Sequence, residues 1–356
     1  MRRFSDMKSA IEVLSKGKNV IIYDDIDAPS VMVVIDKGTN ADVGIGTAGT
    51  TFGDTTHDAF LIDGDTREKV YISKFINIVV DNHAYSLPYE DPRVIINWTQ
   101  ARDACKVKGT YWSLTPNALW AYIAQWSRTN GTQPHGNTQY GKYDRNTAES
   151  GELSALTINS TYYRTYTGSG PDTWNHDHTP FGIADMTGNV WEWCHGLRIR
   201  NGGEISVIPY ANCVTASTDD AITGASGTAW KGIKQNGDFV DAGNADALKF
   251  NWTSNKLTIS TTATTNSGNT SFVSITAAED ITIPDRLRAL GVAPFGTLAD
   301  YGNQGIWFNM NQESMCLRGG AWADGSRDGV FYLDLHYVRS DSSQYIGFRS
   351  AFYGVL

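Results

Sequence analysis

The chain has 356 residues, 41% of them hydrophobic and 12% aromatic, enough apolar surface for a large core and incompatible with a disordered or fibrous chain. Lys and Arg number 29 against 38 Asp and Glu, a net charge of -9, so no basic field exists to draw in a phosphate backbone and nucleic acid is excluded as the expected partner. With Trp 11, Tyr 17 and Phe 13, the chain reads as loop-rich and packed around aromatic rings.

Phe4, Met7, Ile11 and Leu14 recur at helical spacing until Gly17 stops the pattern, which predicts a short amphipathic helix. Met1, Arg2 and Arg3 lead into this mixed stretch and not into an apolar run with a small-residue cleavage site. The expectation is a protein synthesised in the cytoplasm without a signal peptide. Strands are expected at 19–23 and 31–35 around a turn at 24–29, with a Gly- and Thr-rich loop over 38–56 and a further strand over 70–81. The apolar runs are strand-length, so no membrane insertion is expected.

Residues 98–107 and 116–126 are the two best helices. In the second, Thr115 is expected at the N-cap and Pro116 at the first helical position, with Leu119, Trp120, Ile123 and Trp126 as a core-facing stripe. Residues 127–179 are polar and aperiodic and read as long surface loops. His135, His176 and His178 fall there without a carboxylate or cysteine at ligand spacing, so no metal site is assigned. Cys105, Cys194, Cys213 and Cys316 show no ligand or disulfide spacing and read as isolated buried thiols. Residues 202–303 read as an insertion. Within it, 253–278 is rich in Thr, Ser and Asn with alternating Leu257, Ile259, Phe272, Val273 and Ile275, which predicts a solvent-facing β-hairpin.

Residues 181–193 read Phe-Gly-Ile-Ala-Asp-Met-Thr-Gly-Asn-Val-Trp-Glu-Trp. Near the end, Arg318-Gly319-Gly320-Ala321-Trp322 is followed by Ile346-Gly347-Phe348-Arg349. Together with Met32 to Ile35, Ile96-Asn97-Trp98 and Leu114-Thr115-Pro116, these closely resemble the formylglycine-generating-enzyme (sulfatase-modifying factor) subtype of the C-type-lectin fold. The resemblance implies an α+β chain with irregular loops, two helices and the β insertion, and a lectin-like domain over 29–356. The first 28 residues are then a separate element for attachment or assembly. Physically, Trp191 and Trp193 would share one strand face, and Glu192 or Arg349 would satisfy buried backbone groups. The oxidases of that family use a cysteine pair a few residues beyond the Gly-Gly motif. Asp324 and Gly329 occupy those positions here, and neither can act as a thiolate, so no enzymatic activity is expected.

The last forty residues resemble more closely the variable region of proteins diversified by diversity-generating retroelements, which end in Ile-Gly-Phe-Arg-Ser-Ala, here 346–351. In that family, error-prone copying at template adenines rewrites asparagine-type codons, and the altered residues form a ligand-binding surface. Randomising the first two bases of AAC or AAT cannot give Lys, Glu, Gln, Met or Trp. Between Gly320 and Arg349 there is no Lys, Glu or Met, the sole Trp is the framework Trp322, and only Gln344 departs from the rule.

Matching this pattern over 319–349 assigns as ligand contacts Ala321, Ala323, Asp324, Arg327, Asp328, Tyr332, Asp334, His336, Tyr337, Asp341, Ser343, Gln344 and Tyr345. Alternation in 331–336 predicts that Phe331, Leu333 and Leu335 point inward while Tyr332, Asp334 and His336 face solvent. The implied function is a hypervariable receptor-binding protein, carried on a phage tail or encoded by a prophage, with virion components and a cell-surface or protein ligand as partners; the alternatives are a divergent formylglycine-generating-type oxidase and a lectin-like carbohydrate-binding module. No cofactor is required. The sugar-binding triplets of calcium-dependent lectins are missing, Trp174-Asn175-His176 departing at its third position, and no structural calcium is assigned to residues.

Overall fold

Two sheets, of five and nine strands, organise the computed structural model, which describes residues 5–154, 163–216 and 228–356. Phe4 lies outside the described residues, as do parts of the 127–179 and 202–303 stretches. Helices are few: among the described residues, those of nine or more residues are Ser5–Leu14, Trp98–Lys106 and Asn117–Thr129. The protein is a mixed α+β structure. None of the described helices is long and apolar enough to cross a membrane.

The first sheet is five-stranded and joins the two ends of the sequence. Its order is Asn19–Tyr23, Pro29–Asp36, Lys69–Ser73, Ser350–Phe352 and Trp112–Leu114. The hairpin made by its first two strands crosses the boundary drawn at residue 28. The strand expected over 70–81 divides in two. Lys69–Ser73 belongs to this sheet, whereas Ile78–Val80 pairs with His83–Tyr85 across a two-residue turn in which Asp81 and Asn82 both take positive φ. That backbone favours Asn and Asp, which explains the reversal.

The second sheet has nine strands around Trp191–Ile199, which pairs with Ile205–Val207, Ser314–Gly319 and, in parallel, Ile346–Phe348. Beyond Ser314–Gly319 come Gly329–Leu335, Gly305–Asn309 and Ser267–Ser271. Two apolar clusters cover its sides. One contains Leu119, Trp120, Ile306, Phe331, Leu333 and Leu335; the other contains Trp98, Trp191, Trp193, Leu317, Tyr332 and Phe348.

The helices begin where their local chemistry directs. Asn97 accepts the Gln100 amide at 2.9 Å while Gln100 Oε1 accepts the Asn97 amide at 3.1 Å, a reciprocal cap for Trp98–Lys106. The second helix starts one residue later than expected and runs on to Thr129. Pro116, at ψ 136°, is its N-cap, and the Thr115 hydroxyl instead donates to the Arg349 carbonyl at 2.9 Å.

Two expectations fail in the core. The hairpin of the inserted region lies at Lys249–Thr253 and Lys256–Ser260, and it is not solvent-facing: Leu257, Ile259 and Phe272 are fully buried in the same cluster as Leu333. The polar residues mark only the outer face of these strands. All four cysteines are free and buried, but Cys194 and Cys316 are not isolated. They lie beside each other on paired strands, and burial pushes the Cys194 thiol well up.

Candidate functional site

The C-terminal segment is anchored by buried charge. Arg349, fully buried, grips Glu192 with both arms, Nε to Oε2 and Nη2 to Oε1 at 2.6 Å each, and also donates to the Ser73 and Ala184 carbonyls. Burial pushes the Glu192 carboxyl up and the guanidinium beside it pulls it back. Arg318 is equally buried without a carboxylate: Asn117 Oδ1 accepts from its Nε and Nη2 at 3.0 and 2.8 Å, and the Leu290 and Gly291 carbonyls accept from Nη2. Trp193 Nε1 donates to the Ile96 carbonyl and Trp120 Nε1 to the Val330 carbonyl, so the framework aromatics are both packed and hydrogen-bonded.

From this anchor the chain turns outward at Gly319 and Gly320, both near φ 90°. A Cβ on Gly320 would lie 1.7 Å from Asp328 Oδ1, so both backbone angle and space demand glycine there. The Ala321 amide donates to Asp324 Oδ2 at 3.1 Å and closes the loop that carries Ala323, Asp324 and Arg327. Arg327 reaches Asn269 Oδ1 at 3.0 Å, and its guanidinium lies 5.9 Å from the centre of the Tyr332 ring.

The candidate contact residues divide by exposure. Ala323 is exposed, while Asp324, Arg327, His336, Tyr337, Asp341, Ser343, Gln344 and Tyr345 are half-buried. Ala321, Asp328, Tyr332 and Asp334 are buried, at 1%, 2%, 2% and 0% exposure, against the expectation that they face solvent. The reason is that Gly329–Leu335 is an interior strand, flanked by Ser314–Gly319 and Gly305–Asn309, with a cluster on each side. Alternation does separate Phe331, Leu333 and Leu335 from Tyr332, but Tyr332 enters the second cluster, edge-on to Trp191 at 4.3 Å. Burial pushes the Asp328 and Asp334 carboxyls well above the usual carboxylate range. Neither is a free contact on the surface of the folded chain.

The remaining positions form one rim. Tyr345 stacks on Trp322 at 5.1 Å, His336 lies between Tyr337 and Trp307 at 5.4 and 5.3 Å, and Tyr337 and Tyr345 both pack on the second cluster. Backbone bonds hold the loop that links them, Ile95 donating to the Ser343 carbonyl and Trp191 to the Tyr345 carbonyl, and the Asp341 side chain accepts the Val338 amide through Oδ2. The main chain at Ser343 and Tyr345 is thereby held by other segments, while the Asp324 and Asp341 carboxylates are themselves tied to the Ala321 and Val338 amides.

Sequence reasoning missed Trp307 and Tyr140, which extend this rim. Tyr140 is 51% exposed and packs against Trp322 at 5.5 Å; Trp307 is 36% exposed beside His336. For Trp307 a signal existed, since Ile306 and Phe308 on either side are buried and a strand then turns the residue between them outward.

Gly329 has no room for a side chain. A Cβ on Gly329 would lie 2.2 Å from the Gln304 carboxamide, which accepts the Phe331 amide at 2.7 Å. The three noted histidines have separate partners: His135 meets Glu149 at 2.9 Å, His176 accepts the Ile183 amide at 2.8 Å, and His178 lies 3.2 Å from the Gln133 carbonyl.

No protein-family model matches the chain, and no curated protein matches its sequence. Among solved structures, PvdO from Pseudomonas aeruginosa is similar over 94% of this chain and 98% of its own, at 14% identity and a TM-score of 0.39. Treponema denticola variable protein 1 is similar over 94% and 99%, at 12% identity and a TM-score of 0.32. The Major Tropism Determinant U1 variant is similar over 91% of this chain and 63% of its own, at 12% identity and a TM-score of 0.31.

Proposed function

We propose that this chain is a ligand-binding protein with a C-type-lectin fold of the formylglycine-generating-enzyme-like subtype, diversified by a retroelement over 319–349 and without catalytic activity of its own. Its ligand is a cell-surface or protein epitope, and its place is a phage tail or a prophage-encoded particle.

The observation that carries the reading is the division of labour within the C-terminal segment. Arg318, Leu333, Phe348 and Arg349 are buried and bonded, while Arg327, His336, Tyr337, Gln344 and Tyr345 project from a backbone that other segments hold. Substitution at a projecting position typically changes stability by no more than about 0.5 kcal/mol, so such a rim can vary while the fold stays. Tyr and Arg also supply large contact area, the aromatic rings at modest entropy cost. Burial of Ala321, Asp328, Tyr332 and Asp334 narrows the proposed contact set to Ala323, Asp324, Arg327, His336, Tyr337, Asp341, Ser343, Gln344 and Tyr345, with Tyr140 and Trp307 as fixed aromatic neighbours.

Sequencing the DNA beside the gene tests the retroelement. The expected result is a near-copy of the segment encoding 319–349 that differs from it at adenines, next to a reverse-transcriptase gene. A locus with neither would overturn diversification by this route.

A further inference from the structure

We propose that the cavity between strand Pro29–Asp36, helix Asn117–Thr129 and the turn at His176 and Asp177 is a binding site for a neutral saccharide unit. Its volume is about 350 Å³, within the range of roughly 300–1,000 Å³ usual for small-molecule sites. Val33, Ile35 and Ile123 supply its apolar wall. No residue of 319–349 lines it, so the site stands independently of the function proposed for that segment.

Two polar groups that line the cavity point to a ligand. Tyr122 is 5% exposed and His176 7%, yet among the described residues nothing bonds the Tyr122 hydroxyl or the His176 Nε2. Ile183 fixes the histidine: its carbonyl accepts the His176 amide at 3.0 Å, and its amide donates to His176 Nδ1 at 2.8 Å. An amide can only donate, so Nδ1 carries the lone pair. Burial holds the ring well below its usual range and therefore neutral, which leaves the proton on Nε2 as an unanswered donor. Burial also pushes the Tyr122 hydroxyl up to about 12, so it keeps its proton. A Cβ on Gly38 would lie 2.2 Å from that hydroxyl, and the lack of a side chain there leaves the oxygen its place. Buried polar groups without partners are costly, and the hydroxyls of a ligand would answer both.

The surroundings select the class of ligand. Trp126, one helical turn after Tyr122, is half-buried and packs against His176 at 5.4 Å between ring centres, a flat apolar platform for the C–H face of a pyranose. The charges around the cavity largely answer one another: Lys18 meets Asp177 at 3.0 Å, Lys37 meets Glu68 at 2.5 Å, and Asp36 meets Lys69 at 3.0 Å. No lining ammonium is left to hold a phosphate or a carboxylate. Asp42 receives the Thr39 amide and hydroxyl on Oδ2, at 2.8 Å each, and keeps Oδ1 open to accept from a sugar hydroxyl. Two buried donors, an acceptor and a ring to stack on match a neutral polyhydroxylated ring better than an ion or a wholly apolar molecule.

Saturation-transfer NMR of the full-length chain with glucose, galactose, mannose, fucose and N-acetylglucosamine at millimolar concentrations tests the assignment, with melting curves as the check on folding. The native chain is expected to bind at least one of these sugars saturably. Tyr122→Phe removes an oxygen that has no partner in the protein, so it is expected to melt like the native chain and to weaken binding at least about tenfold. Trp126→Leu, which keeps an apolar side chain but not the ring, is expected to abolish binding. Absence of saturable binding of any of these sugars to the native chain would overturn the proposal. So would binding that survives Tyr122→Phe undiminished, which would place the sugar on other residues such as the C-terminal rim.

Discussion

Replacing Arg349 with methionine is expected to destabilise the protein by about 3–5 kcal/mol, the range for a buried ion pair stripped of one partner. The variant leaves the Glu192 carboxylate, 1% exposed, without either of its 2.6 Å bonds and removes the donor from the Ser73 and Ala184 carbonyls. Three segments lose their common tie at once, since Glu192 is on the central strand of the large sheet and Ser73 on the five-stranded one. Adding Glu192→Met to the same chain removes the stranded charge and is expected to recover part of the loss, though the two carbonyls stay unanswered. Urea denaturation of the three proteins reads both effects. A single variant as stable as the native chain would show that the pair does not anchor the segment.

Tyr332→Ala is expected to cost about as much, 3–5 kcal/mol, by analogy with other large buried aromatic truncations. Its ring is 2% exposed and packed edge-on against Trp191 at 4.3 Å. Gln344→Ala and Ala323→Ser, twelve and nine residues from Tyr332 in the sequence, are expected to stay within about 0.5 kcal/mol. The contrast separates residues proposed for ligand contact from those that hold the scaffold. Denaturation midpoints decide it: a Tyr332→Ala protein with a native midpoint would return Tyr332 to the outward set.

The difference between Tyr332 and its neighbours shows where the sequence was legible. Period-two alternation distinguishes the two faces of Gly329–Leu335 and correctly turns Phe331, Leu333 and Leu335 into the main core. It says nothing about what covers the other face. That cover comes from Trp191 and Ala321, and the flanking strands from Gly305–Asn309 and Ser314–Gly319, contacts that no local pattern carries. The same limit explains Leu257 and Ile259, whose Thr-rich surroundings suggested an exposed hairpin although both are fully buried. Helices were read well because their signals are local: the Asn97–Gln100 cap lies within one turn.

The claim that the C-terminal rim binds a ligand is tested most directly by capture of labelled protein on a panel of intact bacterial cells. The comparison is between the native chain and one carrying Arg327→Ala, His336→Ala, Tyr337→Ala and Tyr345→Ala together. Interface anchors of this kind typically contribute about 2 kcal/mol or more each, so the native chain is expected to be retained by a subset of the panel and the variant by none, with the variant still folding cooperatively. Retention of the folded variant by the same cells, as strongly as the native chain, would contradict the account.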